Sequence, residues 1–151
     1  MRRKDIEIID IAAIEAILKE AAVCRLGLCD EGRPYVVPVC FGYEDNVLYF
    51  HSAGEGRKID ILRKNNNVCF EVDIDHEIVK ARQVCDWGMS YKSVIGFGKG
   101  VFIDDVESKR RALDIIMAHY SDKEFEYSEK AVSKTIIVKV EIESMTGKKS
   151  G

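Results

Sequence analysis

The chain of 151 residues predicts a mainly β fold with flanking helices, a small antiparallel barrel or α+β domain, and three observations carry that prediction. Short apolar segments are separated by turns of a few residues, at Asp30-Glu31-Gly32 and Tyr43-Glu44-Asp45-Asn46, so neighbouring strands run antiparallel. One long strand carries Gly96, Gly98 and Gly100 at period two. Helical spacing is confined to three segments that do not alternate with strands, which does not fit a parallel doubly wound sheet. One domain over 1–151 is expected, since this length buries one sizeable core but not two.

Asp10 caps a helix to about Ala22, because Ile11, Ile14, Ile17, Leu18 and Ala21 recur at helical spacing with Glu15, Lys19 and Glu20 on the other face. Val23 to Leu28 alternates as a strand, and Pro34 to Phe41 returns as the second arm of a hairpin. Val47 to Ser52 follows, and the three strands are expected to form a meander. Val36 to Phe41 is apolar at nearly every position, which predicts cover on both faces. Pro38 lacks an N-H, so its strand lies at an edge or is bulged.

A short helix to Arg63 and a strand over Val68–Val72 come next, while 73–89 shows no clear period. Tyr91 to Ile103 reads as a long strand whose glycine face implies either coiling at a barrel corner or close approach of a ligand. Asp104 or Asp105 caps a helix through about His119, with Ala112, Leu113, Ile116 and Tyr120 inward. Ser121 to Lys130 reads as a polar loop, Thr135 to Ile142 closes the sheet, and 146–151 reads as a loose tail.

A formal net charge of -3 and a sequence pI near 5.7 give no reason to expect nucleic acid or an anionic membrane as partner. No apolar run approaches 18 residues and no signal-peptide pattern follows Met1, so a cytoplasmic protein is expected. Five cysteines lack the paired spacings of a zinc site and read as free thiols, with Cys29 and Cys85, beside aspartates, the two expected at the surface.

The stretch Val47 to Arg63 reads as strand, glycine bend and helix, with Arg57 and Lys58 in the helix's first turn. Cations there oppose the positive end of the helix dipole unless an anion sits beside them. Glu55 is one candidate anion. A ligand phosphate, held by backbone N-H groups, Ser52 and the two cations, is the other.

Tyr49-Phe50-His51-Ser52 followed by Gly56-Arg57-Lys58, with Pro34-Tyr35-Val36-Val37-Pro38-Val39 upstream, resembles the flavin-binding split barrels of the pyridoxamine 5'-phosphate oxidase superfamily. Cys85 to Gly98 is similar to the second signature of its nitroimidazole-resistance (Nim-type) branch. The resemblance implies a six-stranded antiparallel Greek-key split barrel that binds FMN at the interface of a homodimer. It places His51, Ser52, Arg57 and Lys58 at the flavin phosphate and ribityl end, backbone of Val36, Val37, Pro38 and Val39 along the isoalloxazine edge, and Ser93 at a polar flavin contact. His51 is the implied catalytic residue, near the substrate side. A strand-end histidine satisfied by backbone is the structural alternative.

Val37 and Gly42 stand where pyridoxamine 5'-phosphate oxidases proper carry basic residues, and the C-terminal arginine and tryptophan elements for the pyridoxal substrate are absent. Vitamin B6 oxidation is therefore disfavoured. No Ser-His-Asp order, HExxH, Walker loop or dinucleotide fingerprint occurs, so chemistry must come from a cofactor. The implied activity is an oxidoreductase that takes electrons from a nicotinamide nucleotide and reduces a small nitro compound. The alternative is a non-catalytic flavin- or haem-binding module, with a deazaflavin in place of FMN as a third arrangement. Trp87 fits a subunit interface or a stacked ring.

Overall fold

In the computed structural model, which describes residues 2–151, the strands are β1 (Glu7–Ile8), β2 (Cys24–Asp30), β3 (Arg33–Val39), β4 (Gly42–Glu44), β5 (Val47–Ser52), β6 (Asn67–Val79), β7 (Gly88–Ile103) and β8 (Ile136–Ser150). The helices are α1 (Ile11–Glu20), α2 (Arg57–Lys64), α3 (Val106–Tyr120) and α4 (Glu129–Lys134). Every pairing is antiparallel, along the path β3-β2-β6-β7-β8-β5-β4, with β1 added to β8. The path does not close on itself. The six longer strands form the split barrel, and β1 and β4 are additions of two and three residues.

The helix starts follow from local chemistry. Asp10 accepts a hydrogen bond from the Ala12 N-H at 3.2 Å, and Asp105 accepts one from the Ser108 N-H at 2.9 Å, satisfying donors that a helix cannot satisfy itself. Ile14, Ile17 and Leu18 are buried under α1, whereas Ile11 remains exposed. Ala112 and Ile116 are buried under α3. Tyr120 acts through its hydroxyl, which accepts from the Phe41 N-H at 2.9 Å and donates to the Ala22 carbonyl at 2.8 Å.

Leu26, Phe70, Val72, Val94, Val138 and Val140 fill the interior. The glycine row of β7 faces them. A Cβ on Gly96 would fall 2.1 Å from Phe70 Cζ, one on Gly98 2.3 Å from the Glu141 carbonyl oxygen, and one on Gly100 2.9 Å from Leu62 Cδ2. The row therefore admits Phe70 and the bulge of β7 against β8 between Phe97 and Gly98. Ligand space on that face is ruled out because side chains and backbone of the barrel already occupy it.

Several expectations are corrected. Among the described residues β3 pairs only with β2, and β5 pairs with β4 and β8, so the first three predicted strands are a hairpin and a separate strand rather than a meander. The crossing at Gly42 is tight: a Cβ there would lie 2.7 Å from the Ile115 backbone of α3. Within one chain the apolar run of β3 is covered on one face, with Val37 and Val39 against the core and Val36 64% exposed. Pro38 does lie on an edge strand.

β6 continues past Val72 through an irregularity between Ile74 and Glu77, where Asp75 has a φ of 58°, and it pairs with β7 as far as Val79. The supposed tail is paired: β8 reaches Ser150, opposite Tyr91, and Gly147 and Lys148 pair with β1. The loop after Ser121 contains the start of α4, capped by Ser128. Cys40, just past the end of β3, is exposed alongside Cys85, while Cys29 is half-buried. Among the described residues no helix is long and apolar enough to cross a membrane.

Candidate functional site

β5 ends at Ser52, and the chain bends through Gly56 into α2. Gly56 is the N-cap, at φ 141° and ψ 161°, a backbone that an L side chain rarely adopts. It offers no side-chain cap. The N-H groups of Ile59 and Asp60 both donate to the Gly56 carbonyl at 3.0 Å. Those of Arg57 and Lys58, two residues earlier in each case, have no protein acceptor among the described residues. They are free donors at the positive end of a helix.

Ser52 adds a second unsatisfied group. The residue is 6% exposed, and its hydroxyl has no hydrogen-bond partner among the described residues. A polar group buried in that condition costs roughly 1–3 kcal/mol. Glu55 does not neutralise this end: it is exposed and forms no ion pair with Arg57 or Lys58 among the described residues. Arg57 instead lies over the ring of Tyr35, 4.8 Å from its centroid, and Lys58 is half-buried. An anion fits what is present: two cations, two free N-H groups and one orphaned hydroxyl.

The Arg57 and Tyr35 contact brings the start of α2 to β3, next to Val36, Val37, Pro38 and Val39. Along β5 the side chains alternate. Ser52 shares the buried face with Leu48 and Phe50, whereas His51 is exposed on the face of Tyr49. His51 and Ser52 thus address opposite sides of one strand. Ser93 lies elsewhere. It pairs with Lys148 while Ser52 pairs with Ile136, twelve residues away on β8, or roughly 40 Å of strand path at about 3.3 Å per residue. Ser93 is 8% exposed and sits opposite Asp73, so one chain does not bring it to the α2 end.

Sequence reasoning missed the outer face of β3, β2, β6 and β7. Val36, Ile95 and Phe97 are 64%, 42% and 55% exposed there, and a shallow, mostly apolar cavity of about 490 Å³ is lined by Gly27, Pro34, Cys69 and Phe97 among others. Arg25 crosses the face to Glu71 at 3.3 Å and Asp73 at 3.2 Å, and His76 meets Asp73 at 3.2 Å. Burial, together with the neighbouring Asp73, pushes the Glu71 carboxyl above its ordinary range, against the opposing pull of Arg25. The available signal was the alternation of large apolar residues with the glycines of β7. Beyond the barrel, the hairpin of β6 and β7 exposes Ile78, Val84, Trp87 and Met89, with the Trp87 Nε1-H donating to the Ala81 carbonyl at 2.9 Å.

A cavity of about 430 Å³ between α1, β4 and α3 is lined by Glu15, Tyr43, Asp45 and His119 and by none of the candidate residues. The Tyr43 hydroxyl donates to Glu15 at 2.9 Å, and burial pushes that hydroxyl up to about 12. His119 bonds the Ala21 carbonyl through Nε2 and packs on Phe41, a structural use.

Comparison with known proteins bears on the whole chain. Residues 10–149 match the family model described as pyridoxamine 5'-phosphate oxidase. The crystal structure of a candidate 5-nitroimidazole antibiotic resistance protein from Bacteroides thetaiotaomicron is 47% identical, with 95% of this chain and 86% of that chain covered and a TM-score of 0.86. The flavocytochrome Anf3 of Azotobacter vinelandii shares the fold at 21% identity, with 100% and 72% covered and a TM-score of 0.87. An uncharacterised Rhizobium meliloti protein is 31% identical over 58 residues, and that match spans 38% of either chain.

Proposed function

The chain belongs to the pyridoxamine 5'-phosphate oxidase family, and from that premise we propose that it is an FMN-dependent oxidoreductase that reduces nitroimidazole or related nitroaromatic compounds with electrons from a nicotinamide nucleotide. One observation carries the reading: the buried, unpartnered hydroxyl of Ser52, four residues before the uncapped start of α2 at Gly56, with Arg57 and Lys58 unneutralised there. The likeness to the Bacteroides protein supports the choice of substrate class.

FMN supplies the electron-transfer chemistry that no side chain provides. Ser52, the free N-H groups of the first turn of α2, Arg57 and Lys58 hold its phosphate, and the free rim of β3 at Val36 to Val39 supplies backbone groups for its ring. His51, on the opposite face of β5, is left to orient substrate rather than phosphate. Ser93 is too far along the sheet to join this site within one chain. A homodimer meeting through the outer sheet face, with flavin at the interface, accounts for the exposure of Val36, Ile95 and Phe97.

Arg57→Ala and Lys58→Ala are each expected to weaken FMN binding by the worth of one charge-assisted hydrogen bond, roughly 1.5–3 kcal/mol or about ten- to a hundredfold. Flavin fluorescence quenching measures this, and a double variant that binds like the parent refutes the anion site. Anaerobic NADH or NADPH should bleach the FMN-loaded protein, and a nitroaromatic should restore the colour. His51→Ala should keep FMN and slow only the restoration. A bound flavin that neither nucleotide bleaches favours a binding module without turnover, and a haem or deazaflavin spectrum replaces FMN outright.

A further inference from the structure

Lys109 is a buried lysine, 7% exposed, on the first turn of α3. It forms no ion pair among the described residues. Its ammonium donates to the Ser133 carbonyl at 3.3 Å and to the Thr135 carbonyl at 3.0 Å. Burying an ammonium is costly unless the groups around it need that charge. Here they do: α4 ends at Lys134, and its last carbonyls carry the negative end of the helix dipole.

What lies next along the chain gives the contact a further meaning. Ile136 follows Thr135 and pairs with Ser52, and Ile137 pairs with His51. These are the last two rungs of the ladder between β5 and β8. The two β5 residues that carry the proposed cofactor and substrate roles thus hang on rungs whose β8 side begins one residue after a carbonyl held by Lys109. Beyond Ser52 the chain leaves the sheet for the bend into α2, so β8 supplies the sheet pairing at this end of β5.

We propose that Lys109 is a positioning residue: by terminating α4 and anchoring the start of β8, it sets the end of β5 and so aligns Ser52 with the free N-H groups of α2. The inference rests on the phosphate reading of that site. It touches neither cofactor nor substrate. Lys109 acts on placement of the anion, not on the ring.

The test compares FMN with riboflavin, which has the same ring and no phosphate, by fluorescence titration of Lys109→Met, Lys109→Gln and Lys109→Arg. Lys109→Met should lower FMN affinity roughly five- to tenfold, part of one charge-assisted bond, and leave riboflavin within about twofold. Lys109→Gln keeps neutral amide N-H donors without the charge and should fall between that variant and the parent, which keeps the question answerable if the Met variant does not fold. Lys109→Arg should restore the parent's FMN-to-riboflavin ratio. Equal losses for both flavins, or no loss for either, overturn the positioning role while leaving the phosphate site intact. A parent protein with no preference for FMN over riboflavin overturns the phosphate reading, and the positioning role with it.

Discussion

The two faces of the sheet are built from the same strands and have opposite fates. On the inner face, Leu26, Phe70, Val72 and Val94 are fully buried, and Gly96 is bare because the Phe70 ring takes its place. On the outer face, one residue out of step, Val36, Ile95 and Phe97 stand in the open beside the Arg25, Glu71 and Asp73 cluster. A period of two lets one strand specify a core and a recognition surface together. The inner face answers to packing, which tolerates little change. The outer face has no such constraint within one chain, so its apolar residues have to be explained by what meets them.

The largest effect should come from the inner face. Phe70→Ala removes the ring that fills the glycine row, and a loss of about 3–5 kcal/mol in urea unfolding is expected. A loss under about 1 kcal/mol means the barrel collapses onto the gap and the interior is less tightly determined than its burial suggests.

On the outer face, Ile95→Lys with Phe97→Glu should leave the folding of one chain within about 0.5 kcal/mol per site, as for other exposed substitutions. The same pair should break the proposed homodimer, dropping the solution mass from twice 17.1 kDa to 17.1 kDa with a loss of roughly 2 kcal/mol or more in association. Equilibrium sedimentation decides it. A variant still dimeric moves the interface off this face, and the hairpin carrying Trp87 and Met89 is the next surface to alter.

The smallest effect concerns Glu71. Its carboxyl is held above the ordinary range by burial and by Asp73, so the folded chain keeps that proton to higher pH than the unfolded chain does. The stability it contributes is fully present below about pH 4.3, the unfolded value, and is lost as pH rises through the folded value. Glu71→Gln removes this titration and should flatten the melting temperature between pH 4 and 7. Parallel profiles for parent and variant would show that Arg25 fully offsets the burial.

Much of this was legible in the residues. Asp10, and Asp105 as one of two adjacent candidates, announced their helices because capping is local. The α2 end was legible as a charge arrangement, two cations in the first turn of a helix, that raises the question of an anion beside them. What depended on register was not. Lys148, Lys149 and Ser150 have the composition of a tail and become strand because Ser93, Lys92 and Tyr91 lie opposite them. The distance of Ser93 from Ser52 is likewise a matter of pairing and has no local signature. Cys40 was misjudged for a related reason: its apolar neighbours suggested a core, but it follows the last residue of β3 and is exposed.

That edge carries one further consequence. The chain has only two prolines, Pro34 and Pro38, and both lie on β3. They are four residues apart, so their missing donors fall on the same side, the free rim, where a proline is tolerated. Between them that rim keeps the N-H of Val36 as its one remaining donor. A strand from another molecule laid along it would gain too few hydrogen bonds to continue the sheet, so the β3 rim is protected against edgewise polymerisation. The same two residues leave the rim-side backbone groups of Val36 and Pro38 without a competing strand among the described residues, and a rim that does not recruit protein stays accessible to a small planar molecule.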